Sequence, residues 1–576
     1  MESSALSSPG TGPQDVWLSS LVLVAACAAA AVLWHTDFFG GVLRFFVLFK
    51  IPHPPEEGFF LGSAFKLIRK DHHRAFSSWG RQLGPIYAVR VLCWHLVVVV
   101  DAGMANVILG NQEGLNKALE PDLSDALLSH TGHRTMFSAD TNSPYWRLIR
   151  KGTAPAFISA NIKNGFPDVI QTLAKVIRNM SQLPAGTALD MNNITMRIAL
   201  DITGLVGFAK DFETCNTFKD ADTDELFNIV KITFRELYSR TTNPARKYIS
   251  WSRDAWEAER LIKKFRARMG ELLQEVKARG ELRTDDVSIA AHLLRLRDPA
   301  TRQPLPDALL AGEFGMFFSA GLETSGNAIS WTLYLIWQHP EVEARLAAEL
   351  DDAGLLVTPQ RPAPRAMEYA DLSRLNYLSW VCKEAMRVRP VAATGSTRYT
   401  KRDLVLGGHF LPKGTMVDVP FYAVHHHPCN WEDPDAFIPE RWAEPGAELV
   451  PEAGSATQGP ASPQKDSSTA VEGEQRPKRF LPFSTGPRQC LGRALARILH
   501  DASIAQLVSH FSFQLADRMG GPEGVDRHEV NRLTMQPGEG MWMTFQSRAH
   551  SSEAQKPAPA IQAQRFSLQV RAGPLS

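Results

Sequence analysis

The chemistry in this chain concentrates around one cysteine, in the stretch Phe483-Ser-Thr-Gly486-Pro-Arg488-Gln-Cys490-Leu-Gly492-Arg-Ala-Leu-Ala496. A thiolate persists near neutral pH only where donors and positive charge lower its pKa. Cys490 stands at the start of a helix-patterned run, 491–511, whose N-terminus brings backbone N–H groups and partial positive charge toward the sulfur. Gly492 presents no side chain to block a flat cofactor. Gly486 allows a positive φ in the preceding loop, and Arg488 can meet a carboxylate through two parallel bonds. Phe483 is placed to cover the other side of the sulfur. A single cysteine is ordinarily a half-buried free thiol. Two glycines, an arginine, an aromatic and a small alanine at these intervals are a more demanding set.

The pattern Phe-x-x-Gly-x-Arg-x-Cys-x-Gly-x-x-x-Ala resembles the haem-binding signature of the cytochrome P-450 superfamily at every fixed position, and in particular its membrane-anchored, microsomal-type members. The resemblance implies a mainly α fold with a small β part, a long central helix over haem b, and Cys490 as the axial ligand of the iron. Phe483, Gly486, Arg488 and Gly492 would then be cofactor contacts. In haem-thiolate proteins the thiolate pushes electron density toward iron and favours O–O cleavage.

Partners for Cys490 lie elsewhere in the chain. Residues 309–337 follow a helix pattern that is apolar almost all round, which implies a buried central helix. Within it sits Ala320-Gly321-Leu322-Glu323-Thr324-Ser325, and an acid and a hydroxyl there are expensive unless used or solvated. Gly321 and Gly326 weaken the helix and Thr324 can divert a carbonyl, which together predict a local opening that admits water. By itself the run reads equally as a threonine bonding its own backbone beside a glutamate that reaches a surface. It resembles the family's oxygen-activation motif, which implies proton delivery by Thr324 and a relay through Glu323.

Glu384 and Arg387 are spaced i, i+3 on one helix face, and taken bare they read as a surface ion pair. With Pro439-Glu440-Arg441-Trp442 downstream they resemble the family's buried triad of Glu384, Arg387 and Arg441. Trp146 and Arg150, spaced i, i+4, put an indole donor and a guanidinium on one side of a helix, where both can grip a carboxylate. With Pro155-Ala-Phe157 just after, they resemble the helix that binds a haem propionate, and Arg398 resembles a further propionate contact. The run His425-His426-His427-Pro428-Cys429 carries metal-capable side chains, but so short a loop cannot bring four ligands tetrahedrally around zinc. Arg147, Lys151, Arg493 and Arg497 form either a basic patch for an acidic electron donor or a solvated face.

The elements that must position these groups sit in a chain of 576 residues, 44% hydrophobic, with net charge +1. That balance excludes a nucleic-acid partner and a disordered chain. Six scattered cysteines without a Cys-x-x-Cys pair exclude a disulfide scaffold and suit a reducing compartment. Residues 16–34 are uncharged and apolar, with Trp17 and Trp34 near the ends, as expected of a transmembrane anchor. No Lys or Arg precedes that span and several follow it, so residues 1–15 are expected in the lumen and the main domain in the cytosol. A second apolar stretch and a Pro-rich hinge, 35–55, should lie at the interface. The body should span 56–548, with a low-complexity insertion at 443–478 and a disordered tail at 549–576.

The resemblance covers roughly residues 50–548. It implies a monooxygenase of the endoplasmic reticulum membrane, a single-pass protein that takes O2 and electrons from NADPH through an NADPH–cytochrome reductase, with cytochrome b5 as an additional donor. A plastid membrane is the alternative location. The oxidised substrate would be a lipophilic small molecule, bound near Phe317, Phe318, Val391 and Ala392. Two other readings stand beside it: a haem-thiolate isomerase or dehydratase of a lipid hydroperoxide, and a non-catalytic membrane haem or lipid sensor.

Overall fold

A computed structural model describes residues 44–55, 62–67, 69–91, 94–111, 115–117, 128, 130–218, 225–242, 253–279, 286–450 and 476–550. Five helices position the site: α1 (Pro144–Thr153), α2 (Met191–Phe208), α3 (Asp307–Gln338), α4 (Asn376–Val388) and α5 (Arg493–His510). Helix α3 runs 32 residues, about 48 Å at 1.5 Å per residue. It starts after Pro306 and stops at His339, where Pro340 disfavours a further helical residue. Helix α4 is opened from outside itself, since the Glu349 carboxylate accepts the backbone N–H groups of Tyr377 and Leu378 at 2.7 and 2.8 Å. It ends at Arg389, immediately before Pro390.

The glycines of α3 have a different task from the one expected of them. The helix is unbroken through Gly321 and Gly326. A Cβ on Gly326 would lie 2.8 Å from Met196 Cα, and one on Gly321 would lie 2.7 Å from Thr203 Oγ1. Both glycines let α2 cross close against α3, so they serve packing and not a water-admitting break. The main core gathers around this crossing, with Phe208 and Phe314 in ring contact and Phe318 between Phe208 and Phe212.

The β part is small, as expected. A five-stranded sheet runs in the order Ile86–Val91, Trp94–Val99, Met416–Val419, Ser396–Thr400, Leu115–Lys117. Its second and third strands pair in parallel, with Val97 opposite Val417, and its other pairs are antiparallel. A three-stranded sheet joins Ala188–Asp190, Trp542–Ser547 and Phe511–Leu515. Phe511 therefore opens a strand, and the helix expected over 491–511 is confined to α5.

Three boundaries move. Leu48 and Ile51 are core residues, and the carbonyl of Pro52 accepts from Ala88 N at 2.8 Å, so the proline segment is fastened to the first sheet as part of the body. At the other end, Arg548–His550 forms a 3-10 turn, and Arg548 reaches Glu343 Oε1 at 2.5 Å. The body thus runs two residues past the expected 548. Between Glu448 and Arg479 the chain leaves and returns at one place: Leu449 bridges Lys478, and Val450 N donates to the Pro477 carbonyl at 2.7 Å. Most of the expected insertion (451–475), the anchor at 16–34 and the tail from 551 lie outside the described residues. Among the described residues no helix is long and apolar enough to cross a membrane.

Candidate active site

The loop before Cys490 is held by its own backbone. Ser484 and Gly486 take positive φ, +59° and +70°, and Cys490 N donates to the Phe483 carbonyl at 2.9 Å. A Cβ on Gly486 would sit 2.4 Å from the Leu109 carbonyl oxygen, so this position needs glycine for room as well as for torsion. Phe483 enters here through its carbonyl. Cys490 keeps accessible surface, yet the surrounding protein is dense enough that burial pushes its thiol above the ordinary range. The sulfur is thus reachable from one side within densely packed protein. The backbone N–H groups of Gly492 and Arg493 and the charges of Arg150 and Arg493 act in the other direction without overcoming burial. Protein donors alone do not make the thiolate expected from the sequence; a bound metal deprotonates such a thiol outright.

An aromatic pair links the cysteine loop to the central helix. Gly492 lies beside Phe157, whose ring stacks with Phe317 of α3 at 6.2 Å. On α3 the residues Phe317, Ala320, Gly321 and Thr324 retain surface while Phe318, Leu322 and Glu323 are buried. One stripe of the central helix is therefore open at helical spacing. Phe318 points away from it into the core, which removes it from the expected substrate contacts. Thr324 Oγ1 donates to the Ala320 carbonyl at 2.7 Å.

Glu323 takes the opposite side of that turn, and burial raises its carboxyl to about 7, against a hydrogen bond from Thr534 and the charge of Arg532. Its Oε2 has no partner among the described residues. The Thr534 hydroxyl accepts from Asn327 Nδ2 at 3.1 Å, and Asn327 Oδ1 accepts from Asn192 Nδ2 at 2.8 Å. A directed chain of donors thus runs from α2 through α3 to the Glu323 carboxyl. None of its three feeder residues was singled out from sequence.

Three guanidiniums converge near Cys490. Arg150 of α1 donates to the Gln489 carbonyl at 2.7 Å. Arg398, on the strand Ser396–Thr400, is 3% exposed, and its Nη2 is a buried donor without an acceptor among the described residues. Arg488 donates to Thr141 Oγ1 and to the Met136 carbonyl, both at 2.9 Å, and to the Ala139 carbonyl. Its in-chain partners are a hydroxyl and carbonyls. Burial, then the charges of Arg398 and Arg150, push Arg488 down to about 9, and burial pushes Arg398 down to about 10. Trp146 packs beneath this group, 4.5 Å from the Arg488 guanidinium and 5.8 Å from that of Arg150. Anions brought here would relieve like-charge repulsion and satisfy the orphaned Arg398 donor.

Behind the site, Glu384 is fully buried and accepts from Arg387, Arg441 Nε (2.9 Å) and the backbone of Ile438 (3.0 Å). The Trp442 indole N–H, given no role from sequence, completes the set at 2.9 Å. Arg387 spends its remaining donors on the carbonyls of His425, Pro434 and Ala436. The histidine run diverges. His425 Nε2 accepts from Leu481 N, His426 Nδ1 contacts the Tyr422 carbonyl, and His427 contacts Cys429 Sγ and the Gly80 carbonyl. A second buried ionic cluster also escaped sequence reading, in which Glu529 meets His73, Arg74 and Arg389.

A family model described as Cytochrome P450 matches residues 52–542. The chain belongs to the cytochrome P450 family. Among curated P450 proteins it is similar to cytochrome P450 3A13 of Mus musculus, 26% identical over 374 residues. It is also similar to cytochrome P450 3A9 of Rattus norvegicus and cytochrome P450 3A5 of Homo sapiens, 26% identical over 376 and 377 residues. Each comparison covers 64% of this chain and 68% of the relative. P450 membership makes the protein a haem monooxygenase that uses haem b, O2 and NADPH-derived electrons. The residues present fit that cofactor: a free cysteine whose sulfur is accessible, a glycine two residues on, and a cluster of arginines including a buried donor suited to two propionates.

Proposed function

We propose that this P450 inserts one oxygen atom from O2 into a lipophilic small molecule, with electrons passed from NADPH through a membrane-bound NADPH–cytochrome reductase and cytochrome b5 as an additional donor. A single anchor at residues 16–34 would hold it in the endoplasmic reticulum membrane with the catalytic domain in the cytosol. Cys490 would hold the haem iron through its sulfur, and Arg150, Arg398, Arg488 and Trp146 would hold the two propionates. The bound haem supplies oxygen activation.

The chain's own residues orient, exclude water and move protons. Phe317 and Ala320 present apolar surface along the open stripe of α3, suited to a lipophilic substrate. Thr324 Oγ1, tied to Ala320 at rest, is the hydroxyl that meets the oxygen side. Glu323 Oε2 would accept and return protons, and the Asn192, Asn327, Thr534 chain would hold its other oxygen in place. Glu384, Arg387 and Arg441 would keep the loop that carries Cys490 against the body.

The observation that carries this reading is the adjacency of Glu323 and Thr324: a buried carboxyl with one oxygen unpartnered, next to a hydroxyl on the open face. Rearranging a hydroperoxide or sensing a lipid requires no such proton route. The test is a ligand screen on the purified haem protein, following the Soret band, then turnover of each hit with reductase and NADPH under labelled O2. One labelled oxygen per product and ligand-stimulated, reductase-dependent NADPH consumption are expected. Reductase-independent isomerisation of a hydroperoxide, or ligand binding with no turnover, would replace the proposal.

A further inference from the structure

Cys382 of α4 and His500 and Asp501 of α5 are buried side by side, 0%, 2% and 7% exposed. One ligand atom from each lies within 4.8 Å of the other two. None of the three has a part in the haem site derived above. The group is polar in a part of the core where α4, α5 and α3 meet, and it is incompletely satisfied. His500 Nδ1 is buried without a hydrogen-bond partner among the described residues, and the Asp501 carboxylate is met by the Cys382 thiol.

The remaining bonds resemble those around metal ligands. His500 Nε2 lies 2.7 Å from Thr332 Oγ1 on α3, and that hydroxyl lies 2.8 Å from the Ala328 carbonyl. A hydroxyl has one proton. With it given to Ala328, Thr332 accepts from His500 Nε2–H, which leaves the Nδ1 lone pair bare. An acceptor that holds one ring N–H, fixes the tautomer and turns the free nitrogen inward is the usual companion of a metal-bound histidine. Arg497 approaches Asp501 at 3.7 Å and also donates to Ser379 Oγ at 3.2 Å, so this arginine is partly turned inward and not free for a solvent-facing patch.

We propose that Cys382, His500 and Asp501 form a structural zinc site that braces α4 against α5. A thiolate and a carboxylate neutralise a divalent cation, and the sulfur, nitrogen and oxygen set suits zinc. Tetrahedral zinc needs its ligand atoms roughly 3.3–3.7 Å apart, given bonds of about 2.0–2.3 Å. Rotamer adjustment within a separation already at or below 4.8 Å supplies this. The second carboxylate oxygen or a water completes four-coordination. The ion would tie the helix of Glu384 and Arg387 to the helix that follows Cys490.

The test is zinc content and zinc K-edge X-ray absorption of the purified full-length haem protein, counted per chain so that the result is independent of haem loading or turnover. We expect about one zinc that survives dialysis, with one sulfur at about 2.3 Å and nitrogen or oxygen at about 2.0–2.2 Å. Cys382→Ser and His500→Gln should abolish the sulfur shell and the tight zinc respectively, and Thr332→Val should weaken zinc binding by about 10–100-fold. Cys429→Ser should leave uptake unchanged. Absence of zinc in protein prepared with zinc present, a spectrum without sulfur, or loss of zinc in Cys429→Ser in place of Cys382→Ser overturns the proposal. The wild-type spectrum alone decides the matter if a variant does not fold.

Discussion

Glu384 and Arg387 meet one helical turn apart with both side chains fully buried, Nη2 to Oε1 at 2.8 Å, and Arg387 uses every donor it has. Such a pair has no solvent to fall back on. Glu384→Ala would strand the Arg387 charge and should destabilise the protein by about 3–5 kcal/mol in denaturant unfolding. Burial, the largest single influence, opposes ionisation of Glu384, but the charge and hydrogen bonds of Arg387, the charge of Arg441 and the Ile438 N–H together outweigh it and hold the carboxyl below its ordinary value. A lowered carboxylate pKa stabilises the fold above the unfolded value and is lost on acidification. Wild type should therefore lose stability as pH falls below the usual carboxylate range, and Glu384→Gln should lose less over the same interval.

Glu323 titrates in the opposite sense. Burial raises its pKa to about 7, so the folded state holds the proton through a window where the unfolded state has released it. This group's contribution is complete below its unfolded value and declines as pH rises toward about 7. Turnover that depends on Glu323 should show a limb near that pH, absent in Glu323→Gln. Removing the Thr534 hydrogen bond, which lowers the pKa, should move the limb upward in Thr534→Val. An unshifted pH–rate profile in Thr534→Val would count against this proton route.

Cys490→Ala should remove the red-shifted, thiolate-type Soret band of the reduced, carbon monoxide-bound protein. The fold should survive, because Cys490 contributes a backbone bond to Phe483 that alanine keeps. Retention of the band in Cys490→Ala would end its assignment as ligand.

Arg398→Met separates two uses of the arginine cluster. Its Nη1 donates to Ser396 Oγ and, at 2.9 Å, to the Thr397 carbonyl, while its Nη2 has no partner among the described residues. Substitution loses these local bonds but also removes a charge that burial disfavours, so thermal stability of the haem-free protein should change little. Haem affinity should fall by about 1.5–3 kcal/mol, the range for a charge-assisted bond. Arg488→Met should lower both, because Arg488 also ties down Met136, Ala139 and Thr141. Haem retention on a gel-filtration column and melting of the haem-free protein measure the two effects separately.

The cysteine loop was legible because its motif falls within fourteen consecutive residues and torsion is a local property, whereas the room that Gly486 needs is set by Leu109, far away in the sequence. The spacing of Glu384 and Arg387 was legible but their burial was not: taken bare they read as a surface ion pair, and only the resemblance implied a buried triad. Trp442 was not legible, since an indole bonded to a carboxylate 58 positions away leaves no local mark. The feeders of Glu323 are scattered from Asn192 to Thr534; the crossing of α2 and α3 brings Asn192 to Asn327, and the turn between the strands Glu529–Asn531 and Met535–Pro537 brings Thr534. The same crossing explains the misreading of Gly321 and Gly326. A glycine in a helix signals weakness when seen alone and close approach when its neighbour is present. Burial was underestimated at Cys490 and Arg488, because composition does not reveal how densely a polar group will be enclosed.

The bridge between Leu449 and Lys478 bears on how this protein can be handled and altered. Because Leu449 bridges Lys478 and Val450 bonds to Pro477, the two ends of the described chain on either side of 451–475 are already fastened to each other. A short turn, an epitope or a reporter domain can be grafted between Val450 and Pro477 while Arg479 still anchors to the Ala447 and Asn430 carbonyls. The junction is a port for protein engineering at which cargo can be exchanged without disturbing the cysteine loop that begins a few residues later.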